Sequence, residues 1–184
     1  MKFFYLFIGF CILLISCNSS DLEKEFPCKN SSSYTHLETT NDIQNLFSIS
    51  LPKHWKTNLY YDNTQTSIFS ADTTTSLTKT TLIDVTLLYS PITFNEQFKQ
   101  KITRENISEQ LSFIKSKTLI FLNKPSYFTF SKGKKKKYTY HILTIYSKVN
   151  SENFLQTKIE VYGDSLINER FCKAIKLIEK IALK

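Results

Sequence analysis

Glycine is nearly missing from this sequence: three in 184 residues, at Gly9, Gly133 and Gly163. That excludes a phosphate-cradling loop, which needs closely spaced glycines for positive φ and close backbone approach. It also excludes a Gly-x-Ser-x-Gly nucleophile elbow, although serine is abundant. Histidine is as scarce. His36, His54 and His141 are scattered, and no Cys-x-x-Cys pair exists, so the usual zinc spacing is absent and neither metal nor cofactor is implied. No internal repeat is visible. The one long apolar run, Phe3 to Ile15, falls short of the about 20 residues that span a bilayer.

That run has a different use. Lys2 precedes it and a small residue, Ser16, ends it, which is the layout of a secretory signal. Leu14-Ile15-Ser16-Cys17 resembles the lipobox of bacterial lipoproteins, with an aliphatic residue at −3, a small one at −1, then cysteine. The resemblance implies removal of residues 1–16, diacylglycerol on the Cys17 thiol and acylation of the new amino group. The competing reading is an uncleaved N-terminal helix with an incidental cysteine. Two or three acyl chains would hold the protein to a membrane, since each buried methylene adds ~0.8 kcal/mol. Asn18, where inner-membrane retention in enteric bacteria uses Asp, points to the outer rather than the inner membrane.

Formal net charge is +8, including Lys2. Such a surplus suits anionic lipid or acidic glycan; the plain alternative is solubility. Export makes nucleic acid a poor partner. Cys11 belongs to the signal and Cys17 to the lipid, which leaves Cys28 and Cys172 as an even pair in an oxidising compartment. They form either a bridge or two unrelated thiols.

Residues 17–43 are polar and read as a lipidated tether, with the folded domain over 44–184. Phe47, Ile49 and Leu51 alternate with serines in a strand stopped by Pro52. Further strands are predicted over 57–61, 66–70, 80–89, 118–122, 126–131, 138–148 and 154–162. Thr93-x-x-Glu96 reads as a capping box for a helix burying Phe94, Phe98 and Ile102, and 108–115 as a second helical stretch. Gly163-Asp164-Ser165 would cap a last amphipathic helix running to about Leu183, with Ile167, Phe171, Ala174, Ile175, Ile178 and Ile181 on one stripe. Lys132 to Lys137 reads as a hairpin tip in which Gly133 supplies positive φ. Strands, helix, strands, helix with short connections argue for the α+β class, an antiparallel sheet sandwiched by helices.

The string Phe47-Ser48-Ile49-Ser50-Leu51-Pro52-Lys53-His54-Trp55 resembles the opening strand of PsbP-like domains. There an alternating strand ends in Pro and a Trp re-enters the core shortly after. The resemblance covers about residues 44–184 and implies the fold those domains share with the nuclear-import factor that binds Ran. It implies no shared catalytic residues.

Trp55 reads as a core plug, His54 as solvent-facing, His141 as a hydrogen-bonded, half-buried strand residue, and Asp84 as the partner of a lysine across the sheet. The lysine tip, Lys132, Lys134, Lys135, Lys136 and Lys137, is the surface feature with functional character, because clustered cations on a projecting hairpin contact phosphate or carboxylate groups. The sequence therefore reads as a non-enzymatic, membrane-anchored envelope lipoprotein that binds a protein partner or assists complex assembly. The alternative is a module for anionic lipid or glycan through the lysine tip, and a further one an unrecognised hydrolase.

Overall fold

Alternation of side chains along seven antiparallel strands builds one large sheet. In the computed structural model, which describes residues 20–28, 31–135 and 138–184, the elements in chain order are α1 (Asp21–Lys24), β1 (Leu37–Asn41), β2 (Phe47–Pro52), β3 (Lys56–Tyr61), β4 (Gln65–Ala71), β5 (Thr81–Leu88), α2 (Glu96–Ser108), β6 (Ser112–Phe121), β7 (Lys124–Lys135), β8 (Tyr138–Lys148), β9 (Phe154–Tyr162), α3 (Ile167–Ile178) and β10 (Ala182–Leu183). The large sheet has the order β3-β4-β5-β9-β8-β7-β6, and a small one the order β1-β2-β10.

Because strand side chains alternate faces, the register sorts the sequence into two layers. Ile68, Val85, Thr157, Ile145 and Phe128 fall in one row across five strands, and Ile83, Ile159, Leu143 and Phe130 in the next. Those rows meet Phe171, Ala174, Ile175 and Ile178 of α3 together with Phe47, Ile49 and Leu51 of β2 in the main core. On the opposite face Tyr127 and Tyr146 receive Phe94, Phe98 and Ile102 around α2, a smaller second core. Trp55 is buried, edge-on to Tyr34 at 5.4 Å between centroids.

Several elements differ from the sequence reading. Residues 17–43 are not all tether: Leu22 is fully buried and Phe26 nearly so, packed among Phe128, Phe130 and Phe171, while β1 pairs with β2 over five residues. Apolar side chains at only two positions suffice because the main core takes in both. The helix cap is Asn95, whose side chain accepts the Phe98 N–H at 2.9 Å, so Thr93-x-x-Glu96 is not a capping box. Ser108 closes α2, Gln110 turns the chain at φ +56°, and residues 112–115 open the ten-residue β6, so 108–115 is not a second helical stretch. The last helix stops at Ile178, and the chain turns to pair β10 with β2, satisfying an otherwise open strand edge. Its start lacks the expected cap: Leu166 stands at the N-cap position with φ +51° and no side-chain hydrogen bond.

The lysine segment differs most. β7 runs on to Lys135, with Lys132 opposite His141 and Lys134 opposite Thr139. Gly133 is not at positive φ. It lies inside the strand under Leu111 and Tyr140, which a Cβ would meet at 2.5 and 2.9 Å, so its role is close packing. Positive φ instead appears at the other end of β7, where Leu122 (51°) and Asn123 (58°) connect β6 to β7, the backbone signature of a two-residue hairpin turn.

Candidate functional site

Cys17, Lys136 and Lys137 lie outside the described residues. Lys132, Lys134 and Lys135 are exposed near the end of β7. The strand carries Lys132 and Lys134 on the face that buries Phe128 and Phe130 further along, past the point where α3 covers it. Lys132 Nζ reaches Asp164 at 3.5 Å. It also borders a cleft of about 270 Å³ formed with Gln110, Ser112, Gly133 and Lys134.

Beside it opens a larger cleft of about 500 Å³, lined by Ile114, Phe130, His141, Asp164, Leu166 and Glu169 among others. Its floor is aromatic: His141 is 7 % exposed and stacks on Phe130 at 6.1 Å. Burial first, and then the Lys132 charge, pulls the His141 imidazole below its ordinary range, which favours its neutral form. The sequence reading made it a hydrogen-bonded histidine. Its Nδ1 is buried without a hydrogen-bond partner among the described residues.

The rim is apolar where solvent would favour polarity. Leu166 is 69 % exposed and Ile114 47 %, whereas Phe113 pairs with Ser131 and so lies on the other face of the sheet. Ile114 sits at a register shift between Phe113 and Lys115; a bulge of this kind re-aims side chains. Leu166 holds the left-handed conformation, which costs a residue with a Cβ about 1–2 kcal/mol. Sequence reasoning missed both. Ile114 falls in the stretch read as helical, and Leu166 lies between the expected cap and the stripe that begins at Ile167.

The other singled-out residues are placed as follows. Cys28 and Cys172 are joined by a disulfide, and Cys172 is buried within α3. His54 is exposed. Asp84 lies opposite Lys158 and accepts from the Thr86 hydroxyl at 3.0 Å; burial raises its carboxyl, with Thr86 and Lys158 opposing. Behind the cleft, Arg170 Nη2 donates to the Tyr162 carbonyl at 2.6 Å, and burial, with Asp72 nearby, lifts the Tyr34 hydroxyl to about 12. Among the described residues no three His, Cys, Asp or Glu side chains are placed to hold a metal, and no helix is long and apolar enough to cross a membrane.

The solution structure of cyanobacterial PsbP (CyanoP) from Synechocystis sp. PCC 6803 superposes at TM-score 0.54, over 80% of this chain and 92% of its own, with 10% identity. The chain has the PsbP fold. A Mog1 point mutant gives TM-score 0.51 over 80% and 95% of the two chains, also at 10% identity. A crystal structure from Bacteroides thetaiotaomicron VPI-5482 gives TM-score 0.47 at 12% identity over 80% of this chain; the match spans about half of that protein, 48%. No protein-family model matches, and no curated protein matches in sequence. The PsbP fold expected from the Leu51-Pro52-x-x-Trp55 segment is thus the one found, with Trp55 in the core as that segment implies.

Proposed function

We propose that this protein is a lipid-anchored envelope protein whose PsbP-like domain is a binding module, not an enzyme, and that it holds a protein partner at the β7–β8 hairpin end. The observation that carries this is Leu166. A leucine kept both left-handed and exposed, at the lip of an aromatic-floored cleft, is disfavoured twice in the free protein, and such outliers concentrate where a ligand or partner seats. Ile114 extends the apolar rim, and Asp164, Glu169 and the Lys132 paired with Asp164 stand at its margin, the layout of an apolar centre with a charged margin. Location in the envelope is supported by the Cys17 motif and by the Cys28–Cys172 disulfide, a bond that persists in oxidising compartments.

The test is a photo-crosslinking side chain placed at Leu166 in the lipidated protein in its own membranes. A discrete adduct is expected there and none at Leu59 on the β3 edge. Ile114→Glu should weaken the adduct-forming interaction by about 2 kcal/mol, about thirtyfold. Equal labelling from Leu59, or indifference to Ile114→Glu, would overturn the assignment.

A second reading rests on Lys132, Lys134 and Lys135, all exposed at one end of β7: the same end contacts anionic lipid or glycan. Each lysine near an anionic surface contributes about 1 kcal/mol. Changing Lys134, Lys135, Lys136 and Lys137 to Ser in a chain lacking residues 1–19 should then abolish retention on phosphatidylglycerol vesicles or lipopolysaccharide at low salt. Unchanged retention rules this reading out.

A further inference from the structure

The described residues begin at Ser20, three positions after Cys17. Ser20 caps α1, its hydroxyl accepting the Glu23 N–H at 3.0 Å and donating to the Glu179 carboxylate. Leu22 is fully buried, Glu25 pairs with Lys117 at 2.5 Å, and Cys28 is bonded to α3. Only Asn18 and Ser19 separate Cys17 from Ser20, and three chain steps reach at most about 10 Å.

The fold decides which surface lies within that reach. Asp21 shares a cleft of about 350 Å³ with Phe94, Leu119, Ile120 and Pro125, at the turn that joins β6 to β7. Ile120 is 53 % exposed there. The lysine end of β7 is far off: from Ser126, which lines the same cleft, to Lys135 is nine strand steps, about 30 Å at ~3.3 Å each.

We infer that the end of the domain carrying Asp21, Ile120 and the β6–β7 turn is its bilayer-facing surface, with the β7–β8 hairpin end held away from that bilayer. The inference rests on the reading of Cys17 as the lipid-bearing residue. The occupant of this face is the bilayer holding that lipid, because the chain before Ser20 is too short to put the domain elsewhere. Ile120 and the apolar cleft beside it meet the interfacial region. The hairpin lysines and the Leu166 rim are then presented to whatever lies in front of the membrane, which favours a protein partner over the anchoring bilayer.

The test uses the full chain matured in a lipoprotein-processing bacterium and reconstituted into phosphatidylethanolamine–phosphatidylglycerol vesicles. With Cys17 acylated and Cys28 bonded to Cys172, an introduced cysteine is the sole free thiol for a fluorophore. A fluorophore on Ile120→Cys should lose emission to headgroup-region nitroxide lipids, and one on Lys134→Cys should not. Emission loss from Lys134→Cys, or none from Ile120→Cys, overturns the orientation. Intact mass and vesicle flotation of the same samples, with Cys17→Ala as the reference, report the anchor separately. An acylated, floating protein with an unquenched Ile120 label would sink the orientation alone, whereas a protein without lipid would sink both.

Discussion

His141 shows how one residue's surroundings set a measurable property. Its imidazole is buried on Phe130 and faces Lys132 and Arg170, which lower its proton affinity, and Asp164, which opposes them. In the unfolded chain it takes up a proton as pH falls through about 6.5, whereas in the fold it stays neutral to lower pH. Between those two values the unfolded state binds more protons, so stability rises with pH across that window. The contribution is complete above about 6.5 and lost as pH falls toward the folded value. Burial raises the carboxyls of Asp84 and Glu179, and they act in the opposite sense, binding extra protons in the fold. His141→Phe keeps the stacking, removes the titration and leaves those carboxyls unchanged, so the difference between the two proteins isolates the histidine. Thermal melts from about pH 7 to about pH 5 should show wild type losing midpoint relative to His141→Phe, by the sign argued above. Parallel curves would mean that His141 is as accessible to protons in the fold as out of it.

Among elements, what could be read from the sequence follows from what packs on each. β9 alternates because one of its faces is covered, β5 and β8 are rich in apolar residues because cores lie on both faces of the sheet, and the α3 stripe is continuous because it fills the main core; all were legible. The class and the PsbP-like order followed from them. The elements that misled owe their state to distant partners. Leu22 and Phe26 look like stray apolar residues in a polar stretch until α3 and β7 are beside them. Leu111 and Ile114 take the spacing of a helix face, and only the pairing of Ser112, Phe113 and Lys115 with β7 makes a strand of that stretch. β10 exists because β2 has a free edge, which nothing local to Ala182 announces. The lysines were found, but the cleft next to them was not. Its rim joins β6, β8 and the start of α3, three segments that local patterning cannot bring together.

The whole molecule is stabilised by its first described residues more than its polar N-terminal composition suggests. A domain starting at Gln44, the boundary suggested by composition, lacks Leu22, Phe26, β1 and Cys28. It also lacks Asp42, whose carboxylate accepts from the Gln44, Leu46 and Phe47 N–H groups and the Thr66 hydroxyl. Removing a buried leucine and a buried phenylalanine costs about 2–5 kcal/mol each. Losing a bridge that closes so long a loop costs about 4–5 kcal/mol on the chain-entropy model. Together these reach the about 5–15 kcal/mol by which a domain of ordinary stability exceeds its unfolded state. A fragment of residues 20–184 made under oxidising conditions should therefore melt in one cooperative transition. Residues 44–184 should give no cooperative transition in near-ultraviolet circular dichroism. Reducing the longer fragment should lower its midpoint without abolishing the transition, because Leu22 and Phe26 remain docked when the bond is gone. Cooperative melting of residues 44–184 near the midpoint of the longer fragment would show that α1 and β1 are appended to a self-sufficient body. It would return residues 17–43 to the role of a tether, and with that lengthen the leash between Cys17 and the domain enough to undo the fixed orientation on the bilayer.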